Sequence, residues 1–115
     1  MKAKIWHNPN CGSSRAALER LTSRGVEPDI YLYLKECPSK DDLRDVLKKL
    51  GLKPSELLRR KEPLADELGL NDARVLETKI LAALAAHPRL IQRPIVITRK
   101  GAVVARPPLR VDEVL

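Results

Sequence analysis

The sequence predicts an α/β fold: a four-stranded mixed sheet with flanking helices and a helical insertion between the second and third strands. Three observations carry this. Strand, helix and strand patterns follow one another between residues 2 and 34, a βαβ order that makes the two strands parallel. Residues 52–90 hold helical turns and no convincing strand pattern. Two apolar runs, Pro94–Thr98 and Ala102–Ala105, flank Lys100-Gly101, the signature of a tight antiparallel hairpin. At 115 residues the chain suits one domain spanning 1–115, with the insertion at about 52–90.

The elements follow in order. Residues 2–6 read as a short buried strand, and Ser13 to Arg24 as a helix offering Ala16, Ala17, Leu18 and Leu21 for packing. Gly25 supplies its stop. Asp29 to Leu34 alternate, with Ile30, Leu32 and Leu34 on one face and Tyr31 and Tyr33 on the other, a strand pattern. Ser39 reads as an N-cap with Asp42 three residues on, a capping box with Asp in place of Glu. Leu43, Val46, Leu47 and Leu50 then form one helical face ending at Gly51. In the insertion, Pro54 to Leu58 read as a short helix. Pro63 to Leu68 read as another, with Pro near its start and Gly69 after its end. Asn71 or Asp72 caps a longer helix on which Leu76, Ile80 and Leu84 share a face, and His87-Pro88 stops it. Residues 111–115 suit a closing helical turn. This order is a thioredoxin-like layout.

Composition narrows the function. No run approaches the ~20 apolar residues of a membrane span. Met1-Lys2-Ala3-Lys4-Ile5 lacks a signal-peptide core, so the expected setting is cytoplasmic and without membrane contact. The two cysteines, Cys11 and Cys37, are expected as thiols in a reducing cytosol, and their separation is not that of a C-x-x-C pair. A net charge of +7 suits an anionic partner. With no Phe and only Trp6, Tyr31 and Tyr33 to stack on bases, nucleic acid is not expected. His7, His87 and two distant cysteines make no metal-ligand cluster.

The chemistry centres on His7-Asn8-Pro9-Asn10-Cys11-Gly12-Ser13-Ser14-Arg15. It places Cys11 on the turn between a strand and a helix. There the helix N-terminus offers partial positive charge and unpaired N–H donors. That setting favours a thiolate and also a bound oxyanion. Gly12, Ser13 and Ser14 keep the turn small and polar. His7 and Arg15 bring cations near the sulfur, which also favour ionisation. Arg59, Arg93 and Arg106 each sit at an element boundary, and the hairpin brings Arg93 and Arg106 to the same end of the sheet. Arginine's planar fork suits tetrahedral oxyanions. Pro94 precedes the third strand, where thioredoxin-like folds commonly carry a cis peptide bond beside the reactive cysteine. Cys37, before Pro38 and a helix cap, reads as an incidental thiol, the alternative being a resolving partner for Cys11.

The His-Asn-Pro-x-Cys-Gly-x-Ser-Arg motif, Leu-Leu-Arg before Glu62-Pro63, Arg-Pro-Ile-Val and the terminal Arg-Pro-Pro resemble the glutaredoxin-dependent arsenate reductase family. The match runs in order over essentially the whole chain. The resemblance implies that Cys11 is the nucleophile and that His7 favours its thiolate. It implies that Arg59, Arg93 and Arg106 bind the oxyanion. Arsenate would be the substrate, glutathione the reducing co-substrate, glutaredoxin the protein partner, and no cofactor would be bound. The related regulator Spx carries Cys-x-x-Cys, whereas the second position here is Ser14. The alternatives are a thioredoxin-like regulatory or binding protein, and a glutathione-dependent thiol oxidoreductase with another substrate.

Overall fold

A computed structural model describes residues 2–115. Met1, the first residue of the segment read as lacking a signal core, lies outside the described residues. Two compact units emerge. One joins the chain up to Glu36 with Arg93–Leu115, and the other is Cys37–Gln92.

The first unit holds the sheet. Strand β1 (Lys2–Trp6) leads into helix α1 (Gly12–Ser23) and then strand β2 (Glu27–Tyr31). A single turn, α2 (Tyr33–Glu36), ends the first segment. Strands β3 (Ile95–Thr98) and β4 (Gly101–Val104) complete a sheet ordered β2-β1-β3-β4. β1 pairs parallel with β2 and antiparallel with β3, and β3 and β4 form the expected hairpin. Alternation along β1 sends Ala3 and Ile5 to one face, where Val96, Val103, Ala105, Ala17, Leu21 and Val26 join them in a core. The C-terminal 3-10 segment Pro108–Val114 adds Val111 and Val114 to the same core. On the other face Lys2 lies opposite Glu27 and Lys4 opposite Asp29. Such opposite-charge pairs favour this register on a solvated face.

The closing segment is tied to α1 by charge. Asp112 accepts hydrogen bonds from Arg20 Nε at 3.1 Å and Nη2 at 2.6 Å, and from Arg24 Nη2 at 2.9 Å. The Arg20 bonds hold the Asp112 carboxyl below its usual range. Thr98 Oγ1 donates to the Val114 carbonyl at 2.6 Å. Leu21 is fully enclosed in this core, so Leu21→Ala is expected to destabilise by about 2–5 kcal/mol. Urea unfolding measures this, and a loss under 1 kcal/mol would mean that the α1–sheet contact carries little.

The second unit is helical. Helix α3 (Lys40–Leu50) begins with the expected capping box: Asp42 N–H donates to Ser39 Oγ at 3.1 Å and Ser39 N–H to Asp42 Oδ2 at 3.0 Å. Its end is Gly51 at φ 69°, a left-handed position that glycine fills without strain. Short helices α4 (Pro54–Leu57) and α5 (Pro63–Glu67) each start at proline, and α6 (Glu77–Ala86) packs against α3 and α4. Leu58 and Ile91 form an isolated antiparallel bridge.

Two readings are corrected. β2 ends at Tyr31 rather than Leu34, because Lys35 and Glu36 N–H groups both turn back to the Leu32 carbonyl. Ile30 and Leu34, read as one face of that strand, are exposed. The long helix starts at Glu77 with Leu76 as its N-cap, not at Asn71 or Asp72. Asn71 Nδ2 bonds Asp66 and the Arg60 carbonyl, while Asp72 Oδ1 accepts the Arg74 N–H, so both side chains shape a loop instead. No helix among the described residues is long and apolar enough to cross a membrane.

Candidate active site

Cys11 is the N-cap of α1, in extended conformation at φ −105° and ψ 123°. Its N–H donates to the Asn8 carbonyl at 3.0 Å, and its carbonyl accepts from Arg15 N–H at 3.0 Å. Asn8 Oδ1 accepts the Asn10 N–H at 3.0 Å, an Asx turn that curls the loop toward the helix. The sulfur is nearly buried, 8% of the residue remaining exposed. Burial by itself pushes the thiol up. The Ser14 N–H, the Arg93 charge and the Ser13 N–H pull it down, and the balance leaves it below the ordinary thiol value. The shift favours the thiolate, the nucleophilic form of the side chain.

The cation that acts on this sulfur is Arg93. It lies at the start of β3, joined to Pro94 by a cis peptide bond, as the fold led us to expect. Pairing of Trp6 with Ile95 brings this end of β3 beside the end of β1 from which the reactive loop departs. The Arg93 Nε and Nη1 atoms are buried without a hydrogen-bond partner. Arg106 follows β4. Because Ile95 pairs with Val104 and Ala105 N–H donates to the Pro94 carbonyl at 2.9 Å, Arg93 and Arg106 share one end of the sheet, with Arg106 exposed.

His7 does not supply the expected positive charge. It is 7% exposed, and burial lowers its pKa. Its Nδ1 bonds Ser14 Oγ at 2.6 Å. Arg15 is exposed on the first turn of α1. Gly12 has no positive φ, and no atom lies within 4 Å of where a Cβ would stand. The fold therefore does not demand glycine there, and the space before the helix mouth stays open. Arg59 belongs to the second unit. Its N–H donates to the Leu90 carbonyl at 2.7 Å, and its Nη1 lies 3.7 Å from Glu62 Oε2. Glu62 Oε1 in turn lies 3.7 Å from Arg89 Nε. Both cysteines are thiols, with Cys37 exposed. Among the described residues no group of three or more His, Cys, Asp and Glu is placed to hold a metal. Sequence reasoning missed the parts played by Asn8 and by the Ser14 hydroxyl. The Asn-Pro step was the available signal for the first.

The buried neutral His7 has a consequence for stability. The unfolded chain takes up a proton near pH ~6.5 that the folded ring resists, so stability is full above that pH and falls as pH drops below it. His7→Gln is expected to flatten the decline below about pH 6.5. Urea unfolding across that range tests this, and an unchanged slope would contradict it.

A strand that delivers a cysteine to a helix mouth, beside a guanidinium with two buried nitrogens, places the chain in the thioredoxin-like class. The ArsC family model matches residues 6–114, and the chain belongs to that family. It is 42% identical over 115 residues to the uncharacterized protein YfgD of Escherichia coli (strain K12), covering 99% of this chain and 97% of that one. It is 41% identical over 113 residues to an arsenate reductase of Neisseria meningitidis serogroup B, covering 97% of each. A solved arsenate reductase from Vibrio cholerae superposes with a TM-score of 0.96 at 40% identity, covering 100% of this chain and 98% of that one.

Proposed function

We propose that this chain is an arsenate reductase working through the Cys11 thiolate. The observation that carries the reading is Arg93, a guanidinium with buried, unpartnered Nε and Nη1 beside the sulfur. An orphaned buried donor is unfavourable until an acceptor meets it. A tetrahedral oxyanion supplies two oxygens at the spacing of the fork. The names of the relatives from Neisseria meningitidis and Vibrio cholerae support arsenate as that anion.

In this mechanism Cys11 Sγ forms a bond to arsenic, and an arsenate oxygen departs as water after taking up protons. Glutathione thiolate then bonds to arsenic with loss of a second water. A glutaredoxin thiolate attacks the glutathione sulfur. The S–As bond pair passes to arsenic, reducing As(V) to As(III), and the two thiols leave joined as a disulfide. Hydrolysis releases arsenite and restores Cys11. The chain binds and stabilises charge: Gly12, Ser13 and Ser14 N–H groups face the oxyanion, and Arg93 and Arg106 neutralise it with help from Arg15. For Arg59 the family resemblance alone supplies the role, oxyanion binding. A cytoplasmic setting keeps the required thiols reduced.

The test is arsenite release with glutathione, glutaredoxin, glutathione reductase and NADPH. One arsenite should appear per NADPH consumed. NADPH consumption on a protein disulfide without arsenite would favour the other thiol oxidoreductase, and no turnover on either would favour a regulatory role.

A further inference from the structure

We propose that Ser14 is a positioning residue whose hydroxyl sets the reactivity of Cys11, by tying the His7 ring and the start of the reactive loop to the first turn of α1. The inference deepens the reading of Cys11 as the attacking thiolate and rests on it. Ser14 is fully enclosed, at 0% exposure. Its Oγ bonds His7 Nδ1 at 2.6 Å and accepts the Asn8 N–H at 3.0 Å. His7 is itself fixed to the sheet, its N–H donating to the Tyr31 carbonyl at 2.9 Å. A continuous link thus runs from β2 through His7 and the Ser14 oxygen into the helix whose N-terminus faces the sulfur.

The consequence is geometric. The Ser14 N–H is the foremost of the groups that favour the thiolate, ahead of the Arg93 charge. Its direction depends on how the first turn is seated. A hydroxyl with two internal partners on the loop and the preceding strand holds that turn in register with Cys11. Arg93 is the charged side chain that bears on the sulfur, and His7, kept neutral by burial, contributes through Ser14 rather than through charge. A serine that merely filled space would be interchangeable with alanine. Here alanine leaves the Asn8 N–H and His7 Nδ1 without their partner, in a site where unpaired polar groups are unfavourable.

The test titrates Cys11 by the pH dependence of its iodoacetamide alkylation, with thermal unfolding followed alongside. Ser14→Ala is expected to raise the thiol pKa by about one unit and to lower kcat for arsenate about tenfold. His7→Ala reads the same link should Ser14→Ala fail to fold, and is expected to shift the thiol in the same direction. The double variant should show no further shift, because both changes break one link. A folded Ser14→Ala with an unchanged thiol pKa, even with a lowered Tm, would reduce Ser14 to packing and overturn the proposal. So would full additivity of the two shifts. The titration uses no arsenate, so loss of the arsenate reading would show separately, as wild-type protein that titrates as described yet releases no arsenite.

Discussion

Cys11→Ser is expected to reduce arsenite release to the uncatalysed background while leaving the fold intact. The amide donors and the guanidinium that favour ionisation of a thiol in this site do not ionise a hydroxyl at neutral pH, and the uncharged oxygen is a poor nucleophile. Stability should not fall, because Cys11 is the N-cap of α1 and serine is among the preferred residues there. The expected pair of results is therefore an unchanged or higher Tm with no turnover. Retained turnover would remove Cys11 as the nucleophile, and a collapsed Tm would leave the activity loss uninterpretable as chemistry and contradict the capping argument.

Arg93→Ala carries the second large effect. Losing the fork from a desolvated ionic contact is worth about 2 kcal/mol or more, so KM for arsenate should rise at least about 30-fold. The Cys11 thiol should also shift upward, since Arg93 contributes both charge and a hydrogen bond to its thiolate. Lys48→Ala removes the same unit of charge from an exposed position on α3 and should change KM little. Equal effects of the two would mean that only net charge matters. Arg93→Lys should recover little, because a lysine ammonium lacks the planar pair of donors.

Local signals were the legible ones. The capping box at Ser39 and Asp42 and the stop at Gly51 each depend on a few neighbouring residues, and each stands where the sequence put it; the hairpin also forms, one residue earlier, with Arg99-Lys100 as its turn and Gly101 opening β4. Cys11 at the mouth of α1 was legible for the same reason, since strand, turn and helix are contiguous. The hairpin likewise gave Arg93 and Arg106 their common sheet end. What failed depended on tertiary context. Alternation from Asp29 to Leu34 read as one strand, but the chain turns after Tyr31; β2 is an edge strand, and Ile30 stays 46% exposed. His7 looked like a cation beside the sulfur. Its neutrality follows from burial at the end of β1, and its partner is the Ser14 hydroxyl, seven residues on. Spacing alone does not reveal that a side chain loses its solvent.

The ionisation of Cys11 is the point on which the chemistry turns, and the rate of iodoacetamide alkylation of the wild-type thiol against pH measures it directly. Half-maximal rate is expected clearly below the free-thiol value of about 8.5, moving upward in Arg93→Ala. A wild-type curve at or above that value would contradict the account.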